Sequence, residues 1–217
     1  MFNILKLLRK FFLNRKISYL SNPILENKYV YLPLHYQPEC SSCPMGENYV
    51  SQDLIIHLLL KSIPSDVFIY IKPHVRNAEN EFLNEFTNIY NLKIIDPSFN
   101  SRELICNSLC VATITGTSGF ESLFHHKPVL MFGHYFYQAF HGVFKIDSSE
   151  DCINAIESIL NKNIIITDED INNMLQYIDK NSIPGWVDNR YEKWSKLTEE
   201  ENIENIYRII KQKLKFD

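Results

Sequence analysis

The runs KYVYLPL (28–34), DVFIYIK (66–72), CVATIT (110–115) and PVLMFG (128–133) are apolar at nearly every position, not at every second one. A strand with one wet face alternates apolar and polar residues. A strand that is apolar throughout must be covered on both faces, as in a parallel sheet flanked by helices. Segments of helical spacing lie between these runs. NYVSQDLIIHLLLKSI (48–63) repeats Val50, Leu54, Ile55, Leu58 and Leu59 along one stripe, and AENEFLNEFTNIY (78–90) does so with Phe82, Phe86 and Ile89. SRELICNS (101–108) reads as a short helix capped by Ser101. LKIID supplies a short third strand that ends at Pro97, and GVFKI a sixth.

This alternation predicts an α/β fold: a Rossmann-like parallel sheet with helices on both faces. At 217 residues the chain has room for one such domain or two small ones, and one is the reading adopted. Residues 1–22 are expected to form a basic amphipathic linker helix, 23–147 the core, and 148–217 a helical C-terminal region packing on it. Its segments are SEDCINAIESIL, DEDINNMLQYID and TEEENIENIYRIIKQKLK, the last opened by Thr198 and Glu201 in capping-box spacing. Lys6, Arg9, Lys10, Arg15 and Lys16 sit in a start without acids. That start suits either a helix packed on a protein body or one lying on an anionic membrane. The preferred reading is the packed helix, because its polar and apolar residues do not separate cleanly.

The net charge of −4 speaks against general nucleic-acid binding. No apolar run approaches the roughly 20 residues needed to cross a bilayer. The start lacks a small-residue cleavage site. Five cysteines, an odd number, then suggest reduced thiols in a cytoplasmic protein, with peripheral inner-membrane attachment as the variant the basic start allows.

TITGTSGFES (113–122) spends two of the chain's 6 glycines at a strand-to-helix turn. In doubly wound sheets ligands bind outside the carboxyl ends of the strands. Gly116 and Gly119 would permit positive φ and close backbone approach. Thr117 and Ser118 would offer hydroxyls to an anion at the new helix start, and Glu121 could accept from a ribose diol. A glycine turn with Ser118 merely capping the helix and Glu121 exposed reads equally well. The pattern is neither G-x-G-x-x-G nor a Walker loop, which speaks against a NAD dehydrogenase and a P-loop NTPase.

Taken in order, YLPLHYQPE, IYIKPH and TITGTSGFESLFHHKPVLMFG resemble the capsule polysaccharide biosynthesis family, which includes Kdo transferases, over about residues 28–146. The resemblance implies the C-terminal, donor-binding half of a GT-B-type glycosyltransferase. Its substrate would be a nucleotide-sugar, with CMP-linked donors among the candidates, its acceptor a polysaccharide or glycolipid, and no metal or other cofactor would be needed. It further implies that Gly116, Thr117, Ser118 and Gly119 hold the donor phosphate and Glu121 its ribose or base. His74, in IKPHV, matches the histidine of the family's Lys-x-His-Pro motif, with Val75 where the family has proline. That histidine could stabilise charge on the leaving nucleotide, and Lys72 could add positive charge. His35, Gln37 and Glu39 follow the first strand at the same edge. Gln37 and Glu39 could touch donor or acceptor hydroxyls, and Glu39 could act as catalytic base; a Pro-stiffened loop is the plainer reading. A GT-B enzyme needs two such halves, so the acceptor half is expected on a separate N-terminal domain or another capsule-synthesis protein. Two alternatives remain: a non-catalytic assembly component, and a nucleotide-sugar epimerase of related fold.

The remaining motifs carry less. CSSCP (40–44) could be redox-active, but it stands apart from the helical pattern that follows. No second C-x-x-C or H-x-x-x-H completes a zinc set. His125 and His126 suit a helix C-terminus. FGHYFYQAFHG (132–142) either lines the sugar side of the site, through His134 and Tyr137, or closes a core edge. IPGWVDNRYEKW (183–194) reads as a packing turn or as an interface with another domain.

Overall fold

The computed structural model describes residues 17–39, 41–77 and 81–214. Strands β1 (Tyr29–Pro33), β2 (Phe68–Lys72), β3 (Leu92–Ile94), β4 (Cys110–Thr113), β5 (Val129–Met131) and β6 (Val143–Lys145) form one sheet. Its order is β3-β2-β1-β4-β5-β6 and every pairing is parallel. The chain builds outward from β1 to β3, returns to β1's free side as β4, and builds the other way. Connections leave β1 and β4 toward opposite ends of the sheet, which opens a crevice at their carboxyl ends.

The continuous apolar runs have the expected cause. Tyr29, Val30, Tyr31 and Leu32 are all 0–1% exposed. Val30 and Leu32 join a cluster with Ile69, Ile71 and Ala112, covered by helices α1 (Gln52–Ser62) and α4 (Ser149–Leu160). Tyr29 and Tyr31 point to the other face, with Tyr70, Val111 and helix α2 (Ser101–Asn107). Helix α3 (Thr117–Leu123) follows β4 and packs on β4 and β5.

Four expectations change. Of the predicted helix 1–22, residues 1–16 lie outside the described residues, and 17–22 are not helical. Leu20 instead bridges Ile95 beyond β3, with Leu20 N donating to Ile94 O at 2.8 Å. The breakers Ser21, Asn22 and Pro23 end any helix there. The helix expected over 78–90 is described only from residue 81, as a 3₁₀ turn, Glu81–Phe86, which suffices to bury Leu83 and Phe86. Helix α2 is capped by Asn100, whose side chain accepts from Arg102 N at 2.9 Å, so Ser101 is left free for other work.

The fourth change is the boundary. The chain divides into compact units after Thr167, not after residue 147. Helix α4 belongs with the sheet because Cys152, Ala155, Ile156 and Ile159 are buried in the core cluster. The second unit holds helices α5 (Asp168–Asn181), α6 (Glu192–Ser195) and α7 (Glu199–Leu214). Its capping box forms as expected, with Thr198 N donating to Glu201 Oε2 at 2.8 Å and Glu201 N to Thr198 Oγ1 at 3.2 Å. Buried Asn202 holds the turn at Trp186, accepting from its N–H at 2.8 Å and donating to its carbonyl at 3.0 Å. Trp194 is exposed.

Candidate functional site at the switch point

His35, two residues beyond β1, is the hub of the crevice. Gln52, the first residue of α1, clamps its backbone: its Oε1 accepts from His35 N at 2.7 Å, and its Nε2 donates to His35 O at 3.2 Å. The ring reaches across to β4, with Nε2 at 3.2 Å from Thr113 Oγ1 and Nδ1 at 3.1 Å from Glu39 Oε1. Gly116 N donates to Thr113 Oγ1 at 2.9 Å, and the Ser41 hydroxyl donates to Glu39 Oε1 at 2.7 Å. One proton order satisfies this network. The Glu39 carboxylate can only accept, so Nδ1 carries the ring proton; Nε2 of the neutral ring then accepts, and Thr113, whose oxygen takes the Gly116 N–H, donates its own proton to it.

Electrostatics agree with that order. Burial lowers the His35 pKa, outweighing the bond and charge of Glu39, which raise it, while nearby His74 lowers it further. At Glu39 desolvation opposes ionisation, but hydrogen bonds from Ser41 and His35, aided by nearby His74, prevail and hold the carboxyl below its usual range. His35 is therefore neutral and Glu39 ionised at neutral pH. A carboxylate so engaged orients the imidazole, as the acid of a catalytic triad orients its histidine.

The two glycines have a cause other than the one expected. Gly116 has φ −69° and ψ 149°, open to any residue, and Gly119 does not have positive φ either. What excludes a side chain is what lies beneath. A Cβ on Gly116 would stand 2.6 Å from Thr113 Oγ1 and 3.3 Å from His35 Nε2. One on Gly119 would stand 2.5 Å from the Tyr137 hydroxyl and 2.8 Å from Thr113 Cγ2. Tyr137 is fully buried and donates to Gly116 O at 2.5 Å. The turn is thus seated directly on His35, Thr113 and Tyr137. Gly142, at φ +86°, is the glycine held in the left-handed region among the described residues.

The cap of α3 is Gly116, with no side-chain cap bond, so Ser118 does not serve as the cap. The hydroxyls of Thr117 and Ser118 have no hydrogen-bond partner among the described residues and are free for a ligand, and Glu121 is exposed. His74 is exposed as well, with Nδ1 accepting from Arg76 N at 3.1 Å and its ring 5.6 Å from that of Tyr36. Lys72 ends β2, half-buried, with Nζ donating to Ser101 Oγ at 2.7 Å. Gln37 is spent internally: its Nε2 donates to Val50 O at 2.7 Å and its Oε1 accepts from Gln52 at 3.1 Å.

Sequence reasoning did not single out Gln52 or Thr113 as parts of the site, and it offered Tyr137 as a sugar-side residue, whereas the buried Tyr137 supports the turn from beneath. The alternation of Thr113 and Thr115 around buried Ile114 is the trace of the second: in an otherwise apolar strand a buried threonine needs a partner. Of the CSSCP motif, Cys43 is exposed and Cys40 lies outside the described residues. Among the described residues no cluster of three or more His, Cys, Asp or Glu could hold a metal, and no helix is long and apolar enough to cross a membrane.

Fold and site define a doubly wound parallel α/β protein with a polar site at the switch between its central strands. A family profile described as "Capsule polysaccharide biosynthesis protein" matches residues 14–155. The chain belongs to the capsule polysaccharide biosynthesis family. Similar solved structures include UDP-GlcNAc 2-epimerase from Methanocaldococcus jannaschii, 18% identical with a TM-score of 0.49, covering 77% of this chain and 49% of that one. Another is the beta Kdo 2,7 transferase KpsC of Thermosulfurimonas dismutans, 22% identical with a TM-score of 0.41, covering 71% of this chain and 50% of that one. The chain spans half or less of the length of these structures. No curated protein matches it.

Proposed function

We propose that this chain is the donor-binding half of a GT-B-type glycosyltransferase of capsule or other surface polysaccharide synthesis. It holds a nucleotide-activated sugar, CMP-linked donors being the first to test, for transfer to a polysaccharide or glycolipid acceptor. The acceptor surface would come from a separate N-terminal domain or another capsule-synthesis protein. One observation carries the reading: in a chain of this family, the loops after β1, β2 and β4 bring His35, Glu39, His74 and the Gly116–Gly119 turn to one switch point.

In this reading the free hydroxyls of Thr117 and Ser118 take the donor phosphate and Glu121 its ribose or base. His74 and Lys72 stabilise negative charge as the nucleotide leaves. His35 fixes the turn from below. Between the two roles open to Glu39, its bonds to His35 and Ser41 favour the orienting role over that of catalytic base. Gln37 shapes the loop rather than contacting the donor. No metal or other cofactor enters this proposal.

Calorimetry with CMP, CDP, UDP and GDP on the intact protein, Ser118→Ala and His74→Ala tests the reading. The expected result is binding of at least one nucleotide, weakened in both variants; no binding by the intact protein overturns it. The engagement of Glu39 also favours a second reading, a component that holds the nucleotide-sugar without transferring it. Retained affinity with neither transfer nor donor hydrolysis, even with partner proteins present, would select that one.

A further inference from the structure

Three tyrosines share one face of the central strands, and only two are satisfied. The Tyr29 hydroxyl donates to Leu104 O at 2.8 Å, and that of Tyr70 donates to Ile24 O at 2.8 Å while accepting from Asn27 Nδ2 at 3.0 Å. The Tyr31 hydroxyl, on a residue 0% exposed, has no hydrogen-bond partner. A buried hydroxyl left in this state is a standing cost to the fold, and in native proteins it calls for an explanation.

The surroundings of Tyr31 supply one. Burial is the main cause that pushes its pKa up to about 12; the Ser101 hydroxyl lies close enough to lower it but does not meet hydrogen-bond geometry, and the Glu121 carboxylate raises it. Ser101 Oγ accepts from Lys72 Nζ, so its own proton is available. The Lys72 ammonium is half-buried and has no carboxylate within ion-pair distance among the described residues. Burial depresses its pKa, partly offset by Asp96. Among the described residues, a phenol with no hydrogen-bond acceptor, a serine hydroxyl with its proton available and an ammonium with no carboxylate in ion-pair contact therefore lie together.

We infer that Tyr31, Lys72 and Ser101 form a subsite for an anionic oxygen group, phosphoryl or carboxylate, at the β1–β2 side of the crevice. The inference rests on the nucleotide-sugar reading for its occupant, an anionic group of the donor. Binding exchanges the Lys72–Ser101 bond for bonds to the anion and gives Tyr31 the acceptor it lacks. The Glu121 carboxylate limits the charge this subsite accepts, so a monoanionic oxygen group that Lys72 can balance fits best.

The test titrates CMP, UDP, inorganic phosphate and acetate into the wild type, Tyr31→Phe and Ser101→Ala, with melting temperatures recorded for each. Tyr31→Phe removes one unpartnered oxygen and should melt no lower than the wild type. It should bind the preferred nucleotide on the order of tenfold more weakly, the loss expected for one hydrogen bond to a charged group. Ser101→Ala should weaken the same probe, and ζ-¹³C-tyrosine NMR should show the Tyr31 signal shifting on saturation. Nucleotide bound equally by all three proteins overturns the subsite and leaves the functional reading intact. Phosphate or acetate bound by the wild type and lost in Tyr31→Phe, with no nucleotide bound, supports the subsite and overturns the functional reading. The two anions separate a phosphoryl from a carboxylate occupant. No binding of any probe overturns both.

Discussion

Replacing Gly119 with alanine places a methyl carbon 2.5 Å from the Tyr137 hydroxyl, 2.8 Å from Thr113 Cγ2 and 3.1 Å from Val129 Cγ1. Tyr137 cannot swing away cheaply, because it is fully buried and tied to Gly116 O at 2.5 Å. Overpacking of this kind costs about 1–3 kcal/mol. For a domain of this size each kcal/mol lowers Tm by roughly 2–4 °C, so a fall of about 2–12 °C is expected. Tyr137→Phe alone should cost about 0.5–1.5 kcal/mol through its lost hydrogen bond. In the double variant the phenyl ring no longer carries the clashing oxygen. Its destabilisation should therefore fall short of the sum of the single effects by about 1 kcal/mol, relief being partial because Thr113 Cγ2 remains close. Urea unfolding of the four proteins closes the cycle. Additivity within about 0.3–0.5 kcal/mol, the margin for independent sites, would refute the claim that this glycine exists to seat the turn on Tyr137.

Acid should loosen the site. The folded pKa of His35 lies below its unfolded value, so the unfolded chain takes up the extra proton and stability falls as pH drops below about 6.5. Glu39, also depressed, adds a second loss as pH falls below about 4.3 and through its folded pKa. Melting curves should show the first loss in the wild type and not in His35→Gln; identical slopes would refute the assignment of a neutral His35. Joint replacement of Thr117 and Ser118 by alanine should leave Tm nearly unchanged and weaken nucleotide binding by at least about tenfold in calorimetry, since both hydroxyls are free in the fold. In the C-terminal unit, Asn202→Ala removes both bonds to the Trp186 backbone and should cost about 1–3 kcal/mol, read as a change in tryptophan fluorescence with early unfolding of that unit.

Much of the fold was legible because burial on two faces leaves a mark in one dimension. Runs such as YVYLP and FIYIK cannot be strands of a half-wet sheet, and strands β1, β2, β4 and β5 lie where those runs are. Local hydrogen-bond chemistry was legible in part. The Thr198–Glu201 box forms, while Asn100 rather than Ser101 caps α2, since both residues are good caps and only the backbone path chooses between them. The boundary after Thr167 was not legible: the apolar stripe of 149–160 shows that the helix packs on something, not that it packs on α1.

The sequence by itself determined the parallel α/β class, the strand-end positions of the three motifs and, through them, the family. Those are matters of periodicity and spacing along the chain. Tertiary structure alone decided what the residues at those strand ends do. It turned Gln37 inward, made His35 the hub, left Thr117 and Ser118 free, and gave both glycines a reason in the side chains beneath them rather than in their own dihedral angles. It also left Tyr31 without a partner between two satisfied tyrosines. The physical reason is common to all of these: a hydrogen bond or a steric clash between residues tens of positions apart depends on strand order, and β4 lies beside β1 only once the sheet has formed.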